Sequence, residues 1–224
     1  MIKALIFDFD GLILDTEISA FQSWQEIYQE LHCSLPLEKW AARIGGSAEL
    51  FDPYEYLETL LGQPIPREDI RLKRYQRHLN LIALQPALPG VESYISDAKR
   101  LGLKIGIASS SEQSWVANHL ARLGLLECFD CLCCGDHVTS KKPHPELYLS
   151  ALAALGIQAH QAIALEDSPN GVLAAQRASI FCVAVPNVIT AQLPLEHADL
   201  RLTSLAEMSL EALLLEVKKR MRVG

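Results

Sequence analysis

The chain has 224 residues, half of them hydrophobic, which is enough to bury the core of one large domain or two smaller ones. Its 27 acidic and 20 basic residues give a net charge of −7, which argues against a nucleic-acid-binding surface. Because the N-terminal residues lead straight into a predicted strand and no apolar run approaches the roughly 18 residues of a membrane span, we expect a soluble cytoplasmic protein with no membrane, nucleic-acid or obligate protein partner.

The first predicted element is a strand over residues 4–7 that ends in two acidic residues, Asp8 and Asp10, followed by Gly11. Side chains alternate along a strand, so both carboxylates point the same way while Phe9 faces the other side. Two neighbouring buried carboxylates are costly without a cation, so a divalent metal with a phosphorylated ligand is a reasonable third member. Gly11 allows a tight turn and a close approach of the backbone to that ligand. Taken alone, the pair also fits ordinary loop acids after a strand.

A helical block without any strand signal follows, from about residue 17 to residue 85. Helical spacing predicts helices over about 18–31, 36–44, 53–61 and 67–82, with Asp15 or Thr16 as the N-cap of the first. The last of these helices carries a basic run composed of Arg71, Lys73, Arg74, Arg77 and His78. Such a run could line a substrate-binding face, although it is usually a solvated face. The glycine pair in Gly45-Gly46-Ser47 is compatible with a loop over the substrate and equally with a plain turn between helices.

From residue 86 onward, strands and helices alternate, which predicts a parallel sheet wrapped by helices on both faces. The apolar runs that predict strands are 105–108, 131–134, 162–165, 181–185 and 200–202. Helices are predicted over about 91–101, 112–123 (capped by the hydroxyls of residues 109–111) and 205–220, and near Pro145 and Pro169. We therefore predict a doubly wound, Rossmann-like α/β core, residues 1–16 and 86–224, with a four-helix cap domain, residues 17–85, inserted after the first strand.

Six cysteines in a chain without a secretion signal favour free thiols over a disulfide framework. Cys131, Cys133 and Cys134 could suggest a zinc site. However, they lie in a strand-like apolar run without paired C-x-x-C spacing, and this favours packing in the core.

In a doubly wound sheet the carboxyl ends of all strands lie along one edge, where ligands bind. The polar residues that directly follow predicted strands, or lie in the loop after one, are Asp8, Asp10, Ser109, Lys142, Glu166 and Asp167. We expect these residues to meet in one site that holds four carboxylates, a hydroxyl and an ammonium. Taken singly, Ser109 could merely cap the next helix, and Lys142 could be a solvated loop lysine beside Lys141.

This set of side chains supports phosphoryl transfer. Carboxylate oxygens without Cys or His ligands favour Mg²⁺ over zinc, and a hydroxyl and an ammonium suit phosphoryl oxygens. We assign Asp8 as the nucleophile that forms an aspartyl-phosphate intermediate. Asp10 would be the acid that protonates the departing oxygen and then the base that activates the attacking water.

The sequence also resembles a known family, the haloacid-dehalogenase-like hydrolases, through four motifs that occur in order along nearly the whole chain. The motifs are Asp8-Phe9-Asp10-Gly11 with Asp15-Thr16-Glu17, then Ser109, then Lys142-Pro143, and finally Glu166-Asp167-Ser168-Pro169-Asn170-Gly171. The helical insert after the first motif looks like the four-helix C1 cap of the β-phosphoglucomutase-like subgroup.

The resemblance implies a Mg²⁺ ion held by the Asp8 carboxylate, the main-chain carbonyl of Asp10 and Asp167. Glu166 would bind this ion directly or through water. The resemblance also implies that Ser109 and Lys142 bind the phosphoryl group, and we add Ser110 and Gly11 as substrate-binding candidates.

We predict a Mg²⁺-dependent phosphatase that hydrolyses small phosphorylated metabolites, such as sugar phosphates. The alternative is a phosphosugar mutase, but β-phosphoglucomutases carry a histidine early in the first cap helix, where residues 18–21 read Ile-Ser-Ala-Phe and His32 lies too far along. A haloacid dehalogenase would not keep the second aspartate. A phospho-accepting signalling module is about half this length, lacks the helical insert and takes the phosphate on a later strand.

Overall fold

The computed structural model describes residues 1–45 and 51–223, and within them six strands form one parallel sheet. The strands are β1 (Ala4–Phe7), β2 (Lys104–Ala108), β3 (Cys131–Cys133), β4 (Ala162–Glu166), β5 (Phe181–Ala184) and β6 (Leu200–Arg201). Their order across the sheet is β3-β2-β1-β4-β5-β6, and every neighbouring pair is parallel. The first strand is therefore central, between β2 and β4, and the predicted doubly wound α/β fold is confirmed.

Helices occupy both the inserted block and the connections between strands. They are α1 (Thr16–Glu30), α2 (Leu37–Gly45), α3 (Pro53–Leu61), α4 (Arg67–Ala83), α5 (Val91–Arg100), α6 (Gln113–Arg122), α7 (Glu146–Leu155), α8 (Pro169–Arg177) and α9 (Leu210–Val223). Most bounds fall within two residues of the predicted ones. Asp15 is the N-cap of α1, since its side chain accepts a hydrogen bond from the backbone N–H of Ile18.

Two helix predictions were wrong in detail. The last helix does not run on from residue 205, because Met208 adopts an extended conformation after a short 3₁₀ turn. Its carbonyl accepts a hydrogen bond from the Tyr94 hydroxyl, and Ser209 then caps α9 by accepting from the backbone N–H of Ala212. The serines after β2 do not cap α6, whose N-cap is Glu112 without a side-chain hydrogen bond.

The two faces of the sheet differ in the size of the side chains they bury. Leu5 and Phe7 of β1 point into a cluster of large residues that also contains Ile105 and Ile107 of β2. Ala4 and Ile6 point to the other face, where alanines from β2, β4 and β5 leave room for α7 and α8. This alternation follows from the period of two along a strand and places helices on both faces. Cys133 and Cys182 pack on the alanine-rich face, and all six cysteines are free thiols.

Helices α1 to α4, here called the cap, bury a separate apolar cluster. Phe21, Trp24 and Tyr28 of α1 form one side of it, as their helical spacing predicts, and Ile189 from the core also contributes. The basic run of α4 pairs largely with the cap itself: Lys73 Nζ lies 2.5 Å from a Glu30 carboxylate oxygen, and Arg77 also binds Glu30. The division into a core and a cap domain at residues 17 and 85 stays a prediction.

Among the described helices, none combines the length and the apolar composition that crossing a membrane requires. Gly46 and Ser47 of the candidate substrate loop lie outside the described residues.

Candidate active site

The site is built around a buried ion-pair cluster at the carboxyl edge of the sheet. Asp8 directly follows β1, and its backbone N–H donates to the Leu165 carbonyl of β4 at 2.9 Å. Lys142 arrives from the loop after β3 and places its Nζ 2.6 Å from Asp8 Oδ1 and 2.5 Å from Glu166 Oε1. The Lys142 side chain is only 6% exposed, and Glu166 is fully buried. The Tyr148 hydroxyl of α7 donates a further hydrogen bond to Glu166 Oε1 at 2.5 Å.

The electrostatics of this cluster are set by an excess of negative charge. Burial, with the nearby Glu166 and Asp10 carboxylates, raises the pKa of Asp8 to about 7, although Lys142 acts in the opposite direction. Burial and the neighbouring Asp8 and Glu166 carboxylates raise the pKa of Asp167 well above its usual value. Burial by itself would lower the pKa of Lys142, but the two carboxylates outweigh it and raise that pKa, so Lys142 is a cation. One ammonium faces three carboxylates.

A divalent cation fits these residues. Asp8, Glu166 and Asp167 each offer an oxygen, and the three oxygens lie within 4.8 Å of one another. Glu166 Oε2 is buried and has no hydrogen-bond partner within the described ranges, so the acid set is not fully satisfied by protein donors. An all-carboxylate donor set is typical of a hard cation such as Mg²⁺ rather than zinc.

Asn187 fixes the orientation of Asp167. Its Oδ1 accepts hydrogen bonds from the backbone N–H groups of Ile189 and Thr190, at 2.9 and 3.0 Å, which determines how the amide is turned. The Nδ2 group must then face Asp167 Oδ2, 2.9 Å away, and it also reaches the Gly11 carbonyl at 3.4 Å. Asn187 therefore connects the first loop to the carboxylate after β4.

Asp10 lies beside the cluster and is surrounded by donors. Its Oδ1 accepts from Thr16 Oγ1 at 2.8 Å and from the Trp115 indole N–H at 3.0 Å. Its Oδ2 accepts from Ser111 Oγ at 2.6 Å and, at a longer 3.5 Å, from Ser109 Oγ. The hydroxyls of Ser109 and Ser111 thus donate to Asp10, and Ser109 Oγ accepts from the backbone N–H of Ser111 at 3.1 Å rather than from the first turn of α6.

A cavity of about 430 Å³ opens over Asp8, Asp10 and Lys142. Ser109, Ser110 and Asp167 line its core side. Thr16, Glu17, Ala20 and His78 line its cap side. A small phosphate ester fits such a volume.

The structure brings Asp8, Asp10, Ser109, Ser110, Lys142, Glu166 and Asp167 together, but Gly11 is placed differently. The Gly11 N–H donates to the Leu14 carbonyl, and a Cβ there would lie 2.2 Å from Asp167 Oδ2. Its φ of +81° also requires the left-handed region. These contacts give Gly11 a part in shaping the Asp167 side of the site, and substrate binding by Gly11 stays a prediction.

Sequence reasoning missed Trp115, Tyr148 and Asn187. Each lies in a helix or loop away from the family motifs, and its residue type is common in ordinary cores and turns. Of the basic run in α4, only His78 lines the cavity among the residues described. The expectation that ligands bind at the carboxyl edge of the sheet identifies residues that directly follow strands. It gives no information on side chains that reach this edge from a helix.

The comparisons with known proteins agree with this site. Residues 5–185 match the family model described as haloacid dehalogenase-like hydrolase. The chain is 48% identical over 214 residues to "Putative phosphatase YhcW" of Bacillus subtilis (strain 168), covering 96% of this chain and 97% of YhcW. It is 30% identical over 220 residues to hexitol phosphatase B of Escherichia coli (strain K12), covering 95% of this chain and 97% of the relative.

Two solved structures extend the likeness to the fold. A variant of CbbY from Rhodobacter sphaeroides, in complex with xylulose-1,5-bisphosphate, aligns with a TM-score of 0.73 at 30% identity, over 95% of this chain and 99% of CbbY. β-Phosphoglucomutase from Clostridium difficile aligns with a TM-score of 0.75 at 26% identity, over 99% of this chain and all of that one. The predictions of family, fold and a phosphatase-type enzyme are confirmed by these matches. With four motifs converging on one sheet edge and a family match over most of its length, the chain belongs to the haloacid dehalogenase-like hydrolases.

Proposed function

We propose that this protein is a Mg²⁺-dependent phosphatase that hydrolyses small phosphorylated metabolites, with sugar phosphates as its substrate class. The observation that carries the proposal is the buried cluster of Asp8, Lys142, Glu166 and Asp167, of which Asp8, Lys142 and Asp167 line the cavity. It combines a nucleophile, an excess of carboxylates for a divalent cation and a buried ammonium for phosphoryl oxygens.

The residues that would hold Mg²⁺ are Asp8 and Asp167 through their carboxylates and Asp10 through its main-chain carbonyl. Glu166 completes the set, directly or through water. When bound, the ion supplies positive charge that offsets the carboxylates and the phosphoryl oxygens.

Asp8 acts as the nucleophile in the first half of the reaction. One of its carboxylate oxygens attacks the phosphorus atom, the ester P–O bond breaks, and an aspartyl phosphate forms. Lys142 and Ser109 hold the equatorial oxygens, whose charge must be compensated. Asp10 delivers a proton to the departing alkoxide, which leaves as an alcohol.

Asp10 then acts as a base in the second half. It removes a proton from a water molecule that attacks the phosphorus atom of the aspartyl phosphate. The acyl–phosphate P–O bond breaks, inorganic phosphate leaves, and the Asp8 carboxylate is restored. Asp10 gives one proton to the alcohol and takes one from water, so it ends each cycle protonated, as it began.

The substrate class is supported by the size of the cavity and by the relatives. Hexitol phosphatase B takes its name from a phosphorylated sugar alcohol, and CbbY was crystallised with a ketose bisphosphate. We propose that the cap, residues 17–85, closes over substrates of this size and keeps bulk water from the aspartyl phosphate. The mutase alternative is weaker, because residues 18–21 early in α1 read Ile-Ser-Ala-Phe and contain no histidine.

A screen with product analysis tests the proposal. The enzyme is incubated with Mg²⁺ and a panel of hexitol phosphates, aldose phosphates and ketose bisphosphates, and inorganic phosphate is measured beside the sugar products by NMR. We expect phosphate release that requires Mg²⁺, and a drop below about one per cent of that rate in Asp8→Asn, because an amide cannot act as the nucleophile. A matched control is Asp97→Asn, a half-buried carboxylate of α5 that pairs with Arg100 and does not line the cavity.

Two results would count against the proposal. Isomerised sugar phosphates without phosphate release would replace the phosphatase by a mutase. Full activity of Asp8→Asn would remove Asp8 as the nucleophile.

A further inference from the structure

The Asp10 side chain carries an unusual number of hydrogen bonds for a general acid and base. Three of its four donors are hydroxyls, from Thr16, Ser109 and Ser111. A hydroxyl can rotate, and it can accept as well as donate, so it can follow the carboxylate or turn toward a substrate. The fourth donor, the indole N–H of Trp115, can do neither, because it only donates and its direction is fixed by the ring.

The ring of Trp115 is itself held in place from two sides. Trp115 lies in the first turn of α6, and its ring packs edge-on against His119 one turn later, with centroids 4.4 Å apart. His78 of the cap covers it at 5.8 Å. His119 in turn stacks on Phe9, the residue before Asp10, at 6.3 Å. The indole N–H is therefore presented to Asp10 by a rigid support that includes the backbone segment of Asp10 itself.

We propose that Trp115 is a positioning residue for Asp10, whose indole N–H holds Oδ1 so that the other carboxylate oxygen faces the leaving group. The inference rests on the proposed function, in which Asp10 is the acid and base. Ser109, at 3.5 Å, is the weaker of the two Oδ2 donors and is assigned to the phosphoryl group, and the Ser111 hydroxyl at 2.6 Å can rotate, so Oδ2 is the oxygen that can turn to the leaving group. Oδ1 of Asp10 continues to accept hydrogen bonds from Trp115 and Thr16.

Loss of the hydrogen bond from Trp115 to Asp10 should affect only substrates whose leaving group must be protonated. A phosphate ester of an acidic phenol releases its leaving group without protonation, whereas an alkyl ester depends on Asp10. Loss of the indole N–H leaves the nucleophile, the cation site and the phosphoryl contacts intact. It therefore slows kcat for alkyl phosphates and leaves KM and the rate for nitrophenyl phosphate nearly unchanged.

The test compares Trp115→Phe with the wild type on a series of aryl phosphates, from nitrophenyl to phenyl, and on an alkyl phosphate from the panel. Phenylalanine keeps an aromatic ring between His78 and His119 and removes the N–H together with the second ring of the indole, a loss that the Trp24→Phe control below shares. We expect kcat to fall by about tenfold on the alkyl phosphate, because the loss of a hydrogen bond to a charged group slows a reaction that depends on it by about this factor. On nitrophenyl phosphate we expect kcat to fall by less than about twofold. Trp24→Phe is the matched control, because Trp24 is buried in the cap against Tyr54 and should leave the ratio unchanged.

The ratio of two rates does not depend on the folded fraction, so Trp115→Leu serves as a second variant even where it unfolds more easily. It should show the same leaving-group dependence as Trp115→Phe. Asp10→Asn is measured alongside and should show a steeper dependence than either. Equal losses on all substrates, or no loss, in both Trp115 variants would overturn the positioning role while Asp10 remained the acid. A flat profile for Asp10→Asn would overturn the acid assignment, and the role of Trp115 with it.

Discussion

At the scale of single residues, Lys142 is the side chain on which the buried cluster depends. It is the cation that contacts both Asp8 and Glu166, and all three side chains are largely withdrawn from solvent. Removing one partner of a buried ion pair lowers the stability of a protein by more than the pair itself contributes, because the remaining charges stay buried and uncompensated.

Lys142→Met should therefore abolish turnover and also destabilise the metal-free protein at neutral pH. We expect a loss of about 3 kcal/mol in the free energy of unfolding, measured by urea denaturation at pH 7.5. The loss should shrink at pH 5, where the raised pKa of Asp8 lets its carboxyl take up a proton. Lys141→Met is the matched control, since Lys141 is exposed and its loss should change the free energy of unfolding by no more than about 0.5 kcal/mol. An unchanged stability of Lys142→Met would contradict the ion-pair account.

Asn187 provides a second prediction at this scale, one that concerns the cation rather than the chemistry. Two backbone N–H groups bind its Oδ1 and so direct its Nδ2 group toward Asp167. Asn187 therefore orients Asp167, a proposed Mg²⁺ ligand, without binding the ion itself. Loss of such an orienting group typically weakens metal affinity by about tenfold or more. Asn187→Ala should therefore raise the Kd for Mg²⁺ about tenfold in isothermal titration calorimetry. Asn80→Ala, on the exposed side of α4, should leave it unchanged, and equal affinities for both variants would exclude the orienting role.

At the scale of elements, α8 is fitted to the glutamate at the end of β4. An ideal Cβ on Gly171, in the first turn of this helix, would lie only 1.7 Å from Glu166 Oε2. Alanine is the better helix former by about 1 kcal/mol, so in an isolated helix Gly171→Ala would be stabilising. In the folded protein the methyl group must displace Glu166 from Lys142 and Tyr148.

We therefore expect Gly171→Ala to destabilise the folded protein, which is the opposite of what helix propensity alone predicts. Thermal unfolding should occur at a lower temperature than in the wild type, and kcat should fall by about tenfold as Lys142 loses its second partner. Removing the carboxylate in the same chain, as Gly171→Ala with Glu166→Gly, relieves the clash and should recover stability without activity. A more stable Gly171→Ala variant would show that Glu166 can move at no cost.

The elements also show which parts of the site a sequence can predict. Asp8, Ser109 and Asp167 each follow a strand directly and Glu166 is the last residue of β4, so the topology of a parallel sheet alone brings them to one edge. Lys142 could be placed because its loop begins at the same edge, after β3. Trp115 and Tyr148 could not, because a helix presents a different face every residue and only tertiary packing decides which face meets the site. The wrong cap for α6 has the same origin, because contacts with Asp10, about a hundred residues earlier in the chain, orient the hydroxyls of Ser109 and Ser111.

At the scale of the whole molecule, the acid cluster connects folding stability to pH and to the cation. The pKa of Asp8 is raised to about 7 in the metal-free fold, and that of Asp167 is raised as well, each first of all by burial. A carboxyl whose folded pKa lies above its unfolded value contributes stability that is complete below the unfolded pKa of about 4 and is lost as the pH rises toward 7. Metal-free protein therefore carries a growing electrostatic cost across this window.

A bound divalent cation should cancel that cost, and it must compete with protons for the same oxygens. We expect the increase in melting temperature on adding Mg²⁺ to be near zero at pH 5 and to rise to a plateau above about pH 7. At a hundredfold excess over Kd the plateau corresponds to about 2.7 kcal/mol, or roughly 5 to 10 °C for a chain of this size. The measurement is differential scanning calorimetry at constant ionic strength, with KCl replacing MgCl₂ in the control. Asp167→Asn should lose most of the increase at every pH. A Mg²⁺ effect that is the same at pH 5 and pH 7.5, or that persists in Asp167→Asn, would place the ion away from the carboxylates of the sheet edge.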